Sequence, residues 1–233
     1  VDNGTSYIKL TENIELGNST LTISSGTITL DLNGKALSAT RTSNGAATCI
    51  SVDGGDLTIT GGGTISATAK GYGGIGSWYA GYNAISLSYN GGNISVRSVN
   101  LIANPSEGRY SSSDDGVAYT LDPNKGKKLE DMIPTGAYIV GSVDYNSEGL
   151  ESSSTTVYLT TYSVKYNSND GMPQPSNATY TIETSDFVLP TVTKNGYTFG
   201  GWKYNNNMVD PTALPTATSI RAIICCWRGS TCC

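Results

Sequence analysis

Thr27-Ile28-Thr29-Leu30-Asp31-Leu32-Asn33-Gly34-Lys35-Ala36-Leu37 is the stretch that decides the fold class. Apolar and polar residues alternate through Leu32, the period of a strand with one face in a core and the other in water. Asn33-Gly34 then signals a tight turn, because both residues tolerate the left-handed backbone region. Alternation resumes at Ala36. The pattern recurs along the chain. Ile50-Ser51-Val52-Asp53-Gly54-Gly55-Asp56-Leu57-Thr58-Ile59-Thr60-Gly61-Gly62-Gly63-Thr64-Ile65-Ser66-Ala67-Thr68 is a second copy. Ile85-Ser86-Leu87, followed by Gly91-Gly92-Asn93-Ile94-Ser95-Val96-Arg97-Ser98-Val99-Asn100-Leu101-Ile102-Ala103, is a third. One such pass of chain cannot bury its apolar side alone, so the copies are expected to stack. Ile28, Leu30 and Leu32 then lie over Leu57 and Ile59, and these over Ile94 and Val96. Segments 41–48 and 70–83 are expected to leave the stack as loops. The expected class is all-β for the most part; a β-sandwich would also tolerate short strands, but the recurrence of one strand–corner–strand pattern favours a β-solenoid.

The run Leu10-Thr11-Glu12-Asn13-Ile14-Glu15-Leu16, followed by Leu30-Asp31-Leu32-Asn33-Gly34-Lys35, resembles the opening coils of right-handed parallel β-helices in bacterial surface proteins. The resemblance covers about residues 5–105 and implies a pectate-lyase-like architecture without implying lyase activity. Beyond it the pattern weakens. Lys125 to Met132 reads as a short helix or a polar loop, while Ala137 to Val143 and Thr155 to Leu159 read as strands. These are expected to complete or cap the stack, as terminal repeats commonly depart from their consensus.

Composition narrows the function. The chain has 28 Gly, and 15 Tyr against 2 Phe, so most aromatic surface carries a hydroxyl suited to half-wet positions. The formal charge is −5 and only 14 Lys and Arg are scattered along it, which argues against nucleic acid as a partner. No apolar run approaches the roughly 18 residues of a membrane helix, so membrane insertion is not expected. Histidine is absent. That excludes Ser–His–Asp and Cys–His catalysis and the commonest zinc sites. Cys49 stands in an alternating stretch and reads as a buried thiol. Cys225, Cys226, Cys232 and Cys233 would be four thiolates for a soft metal, but their spacing is not the familiar pair of two-residue-separated cysteines. No metal and no cofactor are expected.

The C-terminal part reads differently. Tyr162-Ser163-Val164-Lys165-Tyr166 alternates as a strand, and Asn167-Ser168-Asn169-Asp170-Gly171 supplies a turn. Pro173 and Pro175 follow, then a polar strand expected from Ala178 to Glu183, then Phe187-Val188-Leu189-Pro190. In Lys194-Asn195-Gly196-Tyr197-Thr198-Phe199-Gly200-Gly201-Trp202-Lys203, Asn-Gly makes a tight turn. Tyr197, Phe199 and Trp202 are expected to fill a small core. These marks strongly resemble the Listeria–Bacteroides repeat, also called the internalin B-repeat, over about residues 161–227. The resemblance implies a small β-grasp-like module of extracellular proteins, often in stalks or adhesion elements. The ending departs from it, since Ile223-Ile224-Cys225-Cys226 intervene before Trp227. Two domains are therefore expected, at 1–160 and 161–233.

Three stretches are candidates for chemistry. Tyr72, Trp78, Tyr79 and Tyr82 crowd a glycine-rich insertion and are the candidate ligand-binding residues, through stacking on the apolar faces of sugar rings. Asp114-Asp115-Gly116 resembles the paired carboxylates of polygalacturonase-like hydrolases, but that family's other motifs are missing, and a polar turn or calcium loop is the simpler reading. Asp53-Gly54-Gly55-Asp56 offers a second calcium loop built from ordinary turn residues. No catalytic residues are assigned. The expected protein is a non-enzymatic, extracellular or surface-displayed one acting in adhesion or display, with a glycan or a host cell-surface protein as partner. A carbohydrate-binding module using the aromatic loop is the alternative, and a polysaccharide hydrolase or lyase comes behind both.

Overall fold

The computed structural model describes residues 5–42, 47–69, 84–104, 117–121, 129–140, 144–146, 149–151, 154–184, 187–209 and 223–228. Two compact units divide the chain, Val1–Tyr158 and Leu159–Cys233. Strands dominate both, and the all-β class follows directly.

In the first unit the strands are β1 (Thr5–Lys9), β2 (Ile14–Glu15), β3 (Leu21–Ile23), β4 (Thr27–Asp31), β5 (Ala36–Arg41), β6 (Ala47–Thr60), β7 (Thr64–Ala69), β8 (Ala84–Val96), β9 (Val99–Asn104) and β10 (Val117–Leu121). After them come α1 (Leu129–Met132), β11 (Ala137–Val140), β12 (Asp144–Asn146), β13 (Gly149–Glu151) and β14 (Ser154–Leu159). One sheet runs β1-β4-β6-β8-β10, with β3 also on β6; the other runs β2-β5-β7-β9-β14-β11. Successive passes of the chain thus lay one strand on each sheet.

Pairing is parallel and in register. Ile28 meets Leu57 and Leu57 meets Ile94, while Leu30 meets Ile59 and Ile59 meets Val96. This is the interior column expected from the repeated pattern. On the second sheet Leu37, Ile65 and Leu101 form the matching column. Ile59, Ile65, Val96 and Leu101 are wholly buried, each worth about 1.5–3 kcal/mol over an exposed position. The passes pack tightly where the β6–β8 register shifts as well. At Gly92 (φ 79) an added Cβ would fall 1.9 Å from the carbonyl oxygen of Gly55 in the preceding pass, so both the backbone angle and the approach require glycine.

The order changes beyond β9. β14 pairs with β9 in the antiparallel sense, Val157 facing Val99, and β11 lies outside β14. α1 places Leu129 and Met132 in the same core as the stacked strands, which explains why this short segment is helical: its two apolar residues sit three apart, on one face.

The second unit comprises β15 (Tyr162–Val164), β16 (Tyr166–Asn167), β17 (Ala178–Tyr180), β18 (Thr198–Tyr204), β19 (Asn207–Met208) and β20 (Ile223–Arg228). The alternating Tyr162–Tyr166 run is two strands rather than one. β15 pairs with β17, whereas β16 pairs with β20, so the chain changes sheets at Lys165. The strand expected from Ala178 to Glu183 also stops early. Thr181 Oγ1 accepts from the Glu183 amide, and Thr184 Oγ1 accepts from the Thr181 amide, closing a turn that competes with the extended chain.

The core of this unit holds Val164, Tyr166, Tyr180, Val192, Trp202 and Trp227. Each buried indole satisfies its one donor: Trp202 Nε1 donates to the Pro190 carbonyl at 2.6 Å and Trp227 Nε1 to that of Asn169 at 3.0 Å. Tyr197, expected in the core, lies at the surface with 44% of its area exposed. It closes the tight turn that begins at Lys194, its amide donating to the Lys194 carbonyl at 3.1 Å, and so lies before β18 begins.

Candidate functional site

Asp31 organises the best-defined polar cluster of the first unit. It ends β4, and its Oδ1 accepts the Asn33 amide at 2.8 Å, shaping the turn that follows. Its Oδ2 accepts from the Tyr7 hydroxyl and lies 3.6 Å from Lys9 Nζ. The Tyr7 hydroxyl, the Asn33 amide and Lys9 together hold this carboxyl below the usual carboxylate range, against the opposing effect of burial. Asn33 continues the ladder by donating to the Leu10 carbonyl. Every contact is spent within the protein, so this cluster ties neighbouring passes together.

At the proposed calcium loop, Asp53 is exposed and Asp56 half-buried. The Asp56 carboxylate accepts from the Asn93 side-chain amide at 2.8 Å, one pass along the stack. Among the described residues, no three His, Cys, Asp or Glu side chains gather as metal ligands do. Tyr72, Trp78, Tyr79 and Tyr82 lie outside the described residues, and so do Asp114 and Asp115.

The cysteines separate by environment. Cys49 is wholly buried, its thiol directed at the Leu37 carbonyl, and burial pushes its pKa up to about 12. Cys225 is a second buried free thiol, raised in pKa by burial. Cys226 is disulfide-bonded, so its sulfur supplies no thiolate to a metal.

One surface pair went unmarked in the sequence. Tyr138 on β11 and Tyr158 on β14 stack with ring centroids 5.8 Å apart and planes at 27°. An open cavity of about 550 Å3 adjoins them, lined by Glu130, Ile133, Pro134, Thr135, Ala137, Tyr138 and Ile139. The available signal was alternation: Ala137 and Ile139 turn toward the core, which forces Tyr138 outward, and Val157 does the same for Tyr158.

In the second unit Gln174 joins the turn to the sheet. Its Oε1 accepts from both the amide and the hydroxyl of Ser168, and its Nε2 donates to the Tyr166 carbonyl at 2.8 Å. Lys194 reaches Asp170 at 3.5 Å and lies over the Tyr197 ring, 5.1 Å from its centroid. An added Cβ at Gly171 would fall 2.4 Å from the Trp227 ring. The loop 168–174 and the closing strand are therefore built against one another.

Residues 162–222 match the family model of the Listeria-Bacteroides repeat domain. This repeat is typical of bacterial surface proteins. No curated protein sequence and no solved structure matched the chain. The match ends just before β20, yet β20 contributes Trp227 to the core and pairs with both β16 and β18. The irregular ending seen in the sequence is structurally part of this unit as far as Arg228.

Proposed function

We propose that this chain is a non-enzymatic extracellular protein of the bacterial cell surface, acting in adhesion or in display of a binding surface. The observation that carries the reading is the Listeria-Bacteroides repeat at residues 162–222. In this reading the first unit is a right-handed parallel β-helix serving as scaffold, and the second is a β-grasp-like module. In-register parallel pairing across both sheets of the first unit supports the scaffold role. The disulfide at Cys226 fits an oxidising compartment, and the lack of histidine removes the commonest general base.

Antibodies raised against the purified chain test the placement. They should label intact cells of the encoding bacterium; labelling only after permeabilisation would refute it. Incubation with a panel of neutral and acidic polysaccharides tests the non-enzymatic reading. No reducing ends and no unsaturated products are expected, and product release that disappears in Asp115→Asn would overturn it.

A further inference from the structure

We propose that the Tyr138–Tyr158 pair and the cavity beside it form a binding site for a neutral oligosaccharide. The inference rests on the reading of the first unit as a displayed binding surface and gives that surface a location and a ligand class.

The site is built by the elements that end the stack. α1 is anchored by Leu129 and Met132, and Ile133, Ala137 and Ile139 pack against the same core, so the cavity has a fixed apolar floor. Alternation on β11 and β14 then leaves the two tyrosines on the solvent side, 49% and 47% exposed. A cross-strand aromatic pair stabilises strand pairing, and pairing alone accounts for two rings in contact. It does not account for a cavity opening beside one of them.

The lining has two kinds of surface. Ile133, Pro134 and the Tyr138 ring are apolar, while Glu130 and Thr135 are exposed and bring a carboxylate and a hydroxyl to the rim. A pyranose has the matching division, with C–H groups on its faces and hydroxyls around its edge. One sugar face on the Tyr138 ring leaves its hydroxyls directed at Glu130, Thr135 and the phenol. Tyr158, stacked against Tyr138 and outside the described lining, holds that ring in place. The volume falls within the usual range of about 300–1,000 Å3 for small-ligand sites. Glu130 places an exposed carboxylate on the lining at this end of the cavity. That carboxylate favours an uncharged glycan over an acidic one.

The test is calorimetric titration of the full chain with cello-, laminari-, manno- and chito-hexaose, using oligogalacturonate and a proline-rich peptide as comparators. At least one neutral hexasaccharide should bind. Tyr138→Ala and Tyr158→Ala should each weaken it about tenfold, and Tyr158→Phe, which keeps the ring, by no more than about threefold. Both tyrosines are half-exposed, so the Ala variants should melt close to the parent, and Tyr158→Phe reads the ring contact if either does not. Binding by none of the neutral sugars, binding unchanged in both Ala variants, or binding of the peptide alone would each overturn the site. Sugar binding that survives both Ala variants but disappears in Trp78→Ala would overturn this site while leaving the display reading standing. Intracellular labelling in the antibody experiment would sink the display reading without altering the titration.

Discussion

Gly92→Ala is the sharpest test of how closely successive passes of the first unit approach. The added Cβ would sit 1.9 Å from the Gly55 carbonyl oxygen and 2.9 Å from the Gly54 carbonyl carbon. Reaching ordinary contact means opening the gap by about 1.5 Å, against a normal strand spacing of about 4.8 Å. A ladder hydrogen bond stretched that far is broken, at about 1 kcal/mol each. Overpacking against rigid backbone adds about 1–3 kcal/mol, and alanine at φ 79 adds about 1–2 kcal/mol. The sum is about 3–6 kcal/mol. Gly34→Ala is the control, because Gly34 has φ 71 but nothing within 4 Å of the added Cβ; it bears only the backbone cost of about 1–2 kcal/mol. At about 2–4 °C per kcal/mol for a unit of this size, Gly92→Ala should lower Tm by about 6–24 °C and Gly34→Ala by about 2–8 °C. Scanning calorimetry of the full chain reads both. Equal losses in the two variants would refute the close-approach argument.

Three further outcomes follow from the same geometry. Asp31 titrates below its ordinary value when folded, so its contribution is complete above about pH 4 and is lost as pH falls through the folded pKa; Asp31→Asn should flatten the acid-side fall of Tm, and an unchanged slope would count against the cluster. Cys49 and Cys225 are buried thiols with raised pKa, so iodoacetamide at neutral pH should leave both unmodified in native protein and alkylate both in urea, as read by peptide mapping. Gln174→Ala should destabilise the second unit by about 1–2 kcal/mol, since Ser168 is buried and loses its acceptor; a melt indistinguishable from the parent would mean the turn holds itself.

How far the sequence could be read depended on which force set each element. Between Thr27 and Ala103 one force dominated, burial of alternating apolar residues, and the pairs Leu30–Ile59 and Ile59–Val96 were legible because the repeat itself aligns them. The second unit was harder. Its strand breaks at Lys165 and Thr181 come from a change of pairing partner and from local threonine hydrogen bonds, neither of which alternation reports. Tyr197 was misplaced because it closes the turn from Lys194, before β18 begins, where strand alternation does not reach. For the candidate site, aromatic crowding drew attention to Tyr72, Trp78, Tyr79 and Tyr82. Tyr138 and Tyr158 are twenty residues apart and meet only through the antiparallel turn of chain after β9, which no local window contains.

That reversal at β14 has a consequence for how the scaffold can vary in length. Within β4 to β9 each strand offers its neighbours the same evenly spaced, slanted donors and acceptors. A whole pass inserted there meets on either side the partners its flanking strands already had, so copy number is an adjustable quantity. At β14 the sense of pairing reverses and β11 occupies the strand's other edge, so an incoming parallel strand finds no open neighbour there. Lengthening by gene duplication or by design therefore has a permitted zone and a boundary: a repeat spanning β6 and β7 can be doubled in place, while the place beyond β14 is already taken by β11.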